Sequence, residues 1–309
     1  MEMIYLPEGS LAGTAQNTEY TRSLEGLEYA RNNRIILEAK AVLCDASHNL
    51  HVELGMCRGI IPCEEAAYNA SGDEVKDIAI ITRVGKNVCF VVTDIKEQDG
   101  EMRVLLSRRE AQKMCCENYI SMLENGDIIN AAVTHMEPFG AFCDIGCGLA
   151  ALLPIDCISV SRISHPSQRF NCGMKIRCVV RNIDREICRV TLSHKELLGT
   201  WQENADMFLA GETVSGTVRS VEPYGIFVEL APNLAGLAEW CDGVTVGQTA
   251  AVYIKSIIPE KMKIKLVIVD TADSGESIGE IRYRYDGSHM DYWKYSPDGC
   301  MKEIYSFFD

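Results

Sequence analysis

Apolar and polar positions alternate with a period of two through many short runs of this chain, and the runs are separated by Gly, Pro, Asn and Asp. That alternation predicts half-buried strands joined by tight turns. The pattern also repeats itself. VLCDASHNLHVELGMCRGIIP from Val42, VTHMEPFGAFCDIGCGLAALLP from Val133 and VRSVEPYGIFVELAPNLAGLAE from Val218 align, each with two alternating runs and an apolar triplet. Each continues, after a spacer, into a fourth and a fifth run: GKNVCFVVTDI with MRVLLS, GMKIRCVVRNI with CRVTLS, and GQTAAVYIKSI with MKIKLVI.

Five short strands per unit form a sheet that must close, because an open one exposes its edges and half its apolar face. The expectation is therefore mainly β: tandem five-stranded antiparallel barrels of the OB type, joined by short helices. The lid helix of such a barrel belongs in the spacer before the fourth run. The spacer is long in repeat two and short in repeat three, which predicts a trimmed lid there.

After each of the first two barrels the period changes to a helical one. Ser107 with Glu110, and Ser193 with Glu196, have the S-x-x-E spacing of a capping box. Leu197, Trp201, Ala205 and Phe208 follow on one helical face, and Gly126 and Gly211 are placed to stop the two helices. These helices read equally well as connectors or as the terminal helix of each barrel. The resulting division is a leader (1–30), a degenerate repeat one (31–113), a helical connector (114–125), repeat two (126–193), a second connector (194–210), repeat three (211–270) and a C-terminal extension (271–309). The leader reads as a docking arm or a partly ordered segment. The extension holds 8 of the chain's 23 aromatic residues, and Asp286-Gly287 predicts a β-hairpin within it. Packing against the third barrel accounts for those aromatics better than a stacking platform does.

Composition narrows the function. Nearly half of the 309 residues are apolar, yet no apolar stretch approaches the roughly 18 residues of a membrane span, and the amino terminus lacks the pattern of a signal peptide. A cytoplasmic location without membrane contact is expected. Fourteen cysteines occur without a C-x-x-C pair or a suitably spaced His. They read as small apolar fillers in a reducing compartment, with no metal site. No cofactor, small-molecule substrate or catalytic arrangement is indicated, and an enzyme is not expected.

The net charge of −14 speaks against a polyanionic partner until it is divided by segment. The leader has one basic and five acidic residues, and 271–309 has four basic and eight acidic, whereas 126–199 has eight basic and seven acidic. A local basic face is therefore expected, best formed in repeat two. Alternation turns Ala141 and Cys143, or Ile226 and Val228, into the barrel and leaves Phe142 and Phe227 on the outside. Phe139 and Tyr224 stand at the adjacent turns. Arg189 and Lys263, with Arg103 in repeat one, hold one equivalent position. An outward ring with a cation nearby suits an unpaired nucleobase and its phosphate. Arg162, His165 and Arg169 form the densest positive loop, in the repeat-two lid. Repeat one has His48 and His51 at the aromatic positions, so a structural or protein-binding role is expected for it.

GDIINAAVTHMEPFGAFCDIGCGLAALLPIDCIS with RVTLSHKE, and GETVSGTVRSVEPYGIFVEL with GLAE, resemble the S1 RNA-binding domain, an OB-fold module. Repeat one resembles it more loosely, and the whole chain is similar to small-subunit ribosomal protein S1 homologues with three repeats. The resemblance implies single-stranded RNA bound on the second and third strands, in translation, with messenger RNA and the small ribosomal subunit as partners. It maps the family's aromatics onto Phe139, Phe142, Tyr224 and Phe227 and its strand-five basic residue onto Arg189 and Lys263. The family's His after strand three is replaced here by Pro62, Pro154 and Glu239. The competing reading is a protein-docking scaffold on the same machinery with incidental RNA binding.

Overall fold

The structure is a computed structural model and describes residues 5–70, 72, 75–98, 101–273 and 281–309. Positions 1–4 of the leader and 274–280 of the extension lie outside the described residues.

Three closed five-stranded barrels follow one another. The first comprises β1 (Leu37–Cys44), β2 (Leu50–Leu54), β3 (Cys57–Ile61), β4 (Asn87–Gln98) and β5 (Glu101–Ser107). The middle barrel has β6 (Ile128–Glu137), β7 (Gly140–Asp144), β8 (Ala150–Pro154), β9 (Lys175–Asp184) and β10 (Arg189–Ser193). The third has β11 (Thr213–Glu222), β12 (Gly225–Ala231), β13 (Leu234–Ala238), β14 (Thr249–Ile258) and β15 (Lys263–Ala272). In each, the fifth strand inserts between the third and the fourth. The expected five-stranded barrels form, with antiparallel pairing between all neighbours except one pair in each. The third and fifth strands run parallel and close the sheet, as Leu237 beside Lys265 shows. The first strand of every barrel bulges at the same place, at Val42, Thr134 and Arg219, which bends it around the core.

Alternation places the cores as expected. Ala141, Cys143, Leu153, Cys178 and Val190 are fully buried in the middle barrel, and Ile226, Val228, Val252 and Leu266 are buried in the third. Twelve of the fourteen free cysteines are buried or half-buried. Among the described residues no helix is long and apolar enough to cross a membrane.

The leader is docked. It carries α1 (Ala15–Thr21) and α2 (Leu24–Asn32). Leu27 and Ala30 pack into the first barrel, while the buried Glu38 carboxylate accepts the backbone N–H groups of Gly9, Leu11 and Ala12 at 2.9–3.0 Å. The insertion in repeat one forms the short helix α3 (Asp77–Ile81).

The helical joints depart from the simple capping scheme. α4 (Arg108–Asn118) starts at Ser107, whose hydroxyl accepts the Glu110 N–H at 2.8 Å, but the hydroxyl itself donates to Glu65. After the middle barrel, Ser193 donates to the Glu196 side chain at 2.5 Å and opens only a 3₁₀ turn, Lys195–Leu198. The complete capping box is one turn later, where Thr200 and Glu203 start α5 (Trp201–Ala205). Gly199, at φ 84°, breaks the expected single helix, although Leu197 and Trp201 still bury together. Neither Gly126 nor Gly211 terminates a helix. Both sit at positive φ in the turns that lead into β6 and β11.

In the extension, the strands are β16 (Tyr292–Lys294) and β17 (Tyr305–Phe307), paired antiparallel. Among the described residues no ladder forms around Asp286-Gly287, and the pairing lies farther along instead. The backbone there is held by the middle barrel instead: Arg177 donates to the carbonyls of Tyr285 and Gly287 at 2.9 and 2.8 Å.

Candidate nucleic-acid interface

The outer face of the third barrel is built by register. Phe227 on β12, Leu237 on β13 and Lys265 on β15 stand abreast on three adjacent strands. At about 4.8 Å per strand, the backbones of Phe227 and Lys265 are about 10 Å apart. Lys263 lies two residues along β15 and so points to the same side. Tyr224, 70% exposed at the β11–β12 turn, meets Phe227 edge-on with ring centroids 6.2 Å apart. These residues line a groove of about 810 Å³, together with Lys255, Lys261 and Lys302. Lys255 pairs with Glu239 at 3.6 Å. Among the described residues the other four lysines meet no carboxylate at ion-pair distance.

The corresponding face of the middle barrel has the rings but fewer cations. Phe139 is exposed and Phe142 is half-buried, with centroids 6.0 Å apart and planes perpendicular. His135, opposite Phe142 on β6, stacks on that ring at 6.2 Å and bonds to Glu137 at 2.7 Å. His135 escaped notice in the sequence. The two-residue turn at Pro138-Phe139 carries the signal, since it puts 137 opposite 140 and hence 135 opposite 142. Phe142, Leu152 and Thr191 form the row equivalent to Phe227, Leu237 and Lys265, so Lys265 is a second residue that pattern reading passed over. Arg189 is exposed on β10, on the same side as Thr191 but toward the end of the face away from Phe139.

The expectation that repeat two carries the better basic face is not met. Its arginines are numerous, but most serve the protein. Arg177 holds the extension, Arg181 donates to Cys157 Sγ at 2.7 Å, and Arg185 donates to the Leu123 carbonyl at 2.7 Å. Of the lid trio, Arg162 is exposed and His165 is half-buried, its Nδ1 2.8 Å from the Ser167 hydroxyl. Arg169 is corrected outright. It is buried and ion-paired with Glu229 of the third barrel, which Arg219 also holds at 3.1 Å, so it offers nothing to a surface ligand. In the first barrel the histidines are occupied. His48 meets Asp77 at 3.2 Å, and His51 meets Asp45 at 3.1 Å. Hydrogen bonds from Asn49 and His51 hold the Asp45 carboxyl down at about 2.

A family model described as the S1 RNA-binding domain matches residues 123–195. That match falls on the middle barrel. The matched segment spans β6 to β10, together with the turn that leads into it and the start of the following 3₁₀ turn. The chain is also similar to two proteins named small ribosomal subunit protein bS1 homolog. The one from Bacillus cereus is 29% identical over 81% of this chain and 64% of its own length. That from Bacillus subtilis is 28% identical over 83% and 65% respectively. Small ribosomal subunit protein bS1 of Staphylococcus aureus is 28% identical over 74% of this chain and 57% of its own. The chain thus spans less than two thirds of the length of these relatives. The matched middle barrel and the topologically identical third barrel carry the paired aromatics, and the first barrel has His48 and His51 at those positions.

Proposed function

We propose that this chain binds unstructured single-stranded RNA on the outer faces of its second and third barrels and acts in translation in the cytoplasm. Messenger RNA and the small ribosomal subunit are the partners this reading names. The observation that carries it is the third-barrel groove, which Tyr224 and Phe227 line together with Lys261, Lys263 and Lys265. Aromatic rings stack on any unpaired base, and lysines neutralise the phosphates that follow it. A base locked in a duplex has no face to offer, so the arrangement selects single strands. Phe139, Phe142 and Arg189 supply a second, less cationic contact, and Arg162 and His165 of the lid are further candidate contacts. The match to an S1 RNA-binding domain supports the same reading. The activity is binding without catalysis, and the first barrel, with its histidines tied to aspartates, is structural.

Fluorescence anisotropy with a labelled unstructured oligoribonucleotide tests the proposal. Binding that exceeds binding to a duplex of equal length, and that weakens as salt rises, is expected. Equal binding of both forms, or none, contradicts it.

A further inference from the structure

The third-barrel groove is not made by the barrel alone. The C-terminal extension crosses from the middle barrel to the third. Arg177 holds its beginning through the carbonyls of Tyr285 and Gly287, and farther along the Tyr295 hydroxyl donates to the Asn233 carbonyl of the third barrel. The segment beyond Tyr295 then leans on the turn between β14 and β15. There the Cys300 thiol lies 3.3 and 3.1 Å from the carbonyls of Pro259 and Glu260, and the Ser296 hydroxyl donates to the Lys302 carbonyl at 2.9 Å. These contacts put Tyr295, Lys302 and Ile304 into the lining of the groove, together with the residues that β12, β13 and β15 supply. Lys302 is exposed, and among the described residues no carboxylate neutralises it.

We infer that the extension is part of the RNA site, with Lys302 as a phosphate contact and the segment around it as a wall that narrows the groove to one strand. The inference rests on the reading of the third barrel as an RNA-binding module and adds to it a contact from outside the barrel. A wall fixed to both barrels is placed before RNA arrives, so Lys302 adds its charge without the ordering cost of a free tail. The chemical class recognised is a ribose-phosphate backbone whose base lies against Tyr224 and Phe227.

The test measures binding of a labelled oligouridylate to the full chain across a salt series, for wild type, Lys302→Ala, Met301→Ala and Lys263→Ala with Lys265→Ala. Met301 is 95% exposed and neighbours Lys302, so it controls for change in the loop itself. Lys302→Ala is expected to weaken binding roughly threefold and to lower the slope of log affinity against log salt by about 0.7, the share of one phosphate contact on a single strand. Met301→Ala is expected to leave both unchanged. If Lys302→Ala behaves as wild type while the β15 pair weakens binding, the groove binds RNA without the extension and this inference fails alone. If neither Lys302→Ala nor the β15 pair changes binding, the third-barrel reading fails with it.

Discussion

Glu229 of the third barrel is buried between two guanidinium groups, Arg219 of its own barrel and Arg169 of the middle one. It therefore ties the barrels together through charge as well as shape. Asn233 reinforces the seam: its side chain accepts the Val160 N–H at 2.9 Å and donates to the carbonyls of Lys195 and Gly199 at 2.7 and 3.0 Å.

Removing the anion leaves a buried and a half-buried cation without their shared partner. Glu229→Gln is expected to destabilise the protein by about 3–5 kcal/mol, the usual cost of breaking a buried pair from one side. Urea unfolding followed by tryptophan fluorescence measures it, since Trp201 and Trp293 lie in the core shared by the third barrel, α5 and the extension. A loss below about 1 kcal/mol contradicts the buried-pair account.

Two buried groups act on stability with opposite sign as pH changes. His194 lies between Phe170 and Tyr283, at ring separations of 5.2 and 5.7 Å, and burial pulls its pKa down to about 4. The unfolded chain then binds the proton more readily, so His194 contributes stability above about pH 6.5 that is lost as pH falls toward 4. Asp144 is pushed up to about 7 by burial and by the Glu8 carboxylate. The folded state holds its proton longer, so its contribution falls as pH rises from about 4 to 7. Denaturation midpoints measured across that window should rise with pH more steeply in Asp144→Asn than in wild type, and less steeply in His194→Phe. Parallel curves for all three proteins contradict both assignments.

The cysteines give a chemical check on the packing. Cys172 and Cys241 are exposed, and seven others, including Cys143, Cys147 and Cys178, are buried. Burial also raises the thiol pKa of Cys143 to about 12, so the reactive thiolate is scarce at neutral pH. Native labelling with a maleimide, read by peptide mass spectrometry, should modify Cys172 and Cys241 first. Early modification of Cys143 or Cys178 contradicts the closed middle barrel.

The barrels were legible because their information is local. Alternation, turn residues and three aligned copies point to the same five strands, and Phe142 and Phe227 follow from a period of two. What was not legible depends on partners far along the chain. Arg169 reads as a surface cation because its anion, Glu229, is 60 residues away. Arg177, one of the eight basic residues counted in 126–199, is likewise occupied, by carbonyls 108 and 110 residues farther on. Charge counted along a segment therefore overstated the middle barrel's free cations and understated the third barrel's, where alternation gathers Lys263 and Lys265 on one side. The turn expected at Asp286-Gly287 failed for a related reason, since the carbonyls of Tyr285 and Gly287 are occupied by Arg177, far away in sequence.

The most direct measurement compares RNA affinity after disabling each face in turn. A labelled single-stranded oligoribonucleotide is titrated with wild type, with Phe227→Ala combined with Lys265→Ala, and with Phe142→Ala combined with Arg189→Ala. Each stacking ring carries roughly 1–3 kcal/mol, so the third-barrel pair should weaken binding by about tenfold or more, and the middle-barrel pair by less. Unchanged affinity in both pairs contradicts the assignment of these faces to RNA.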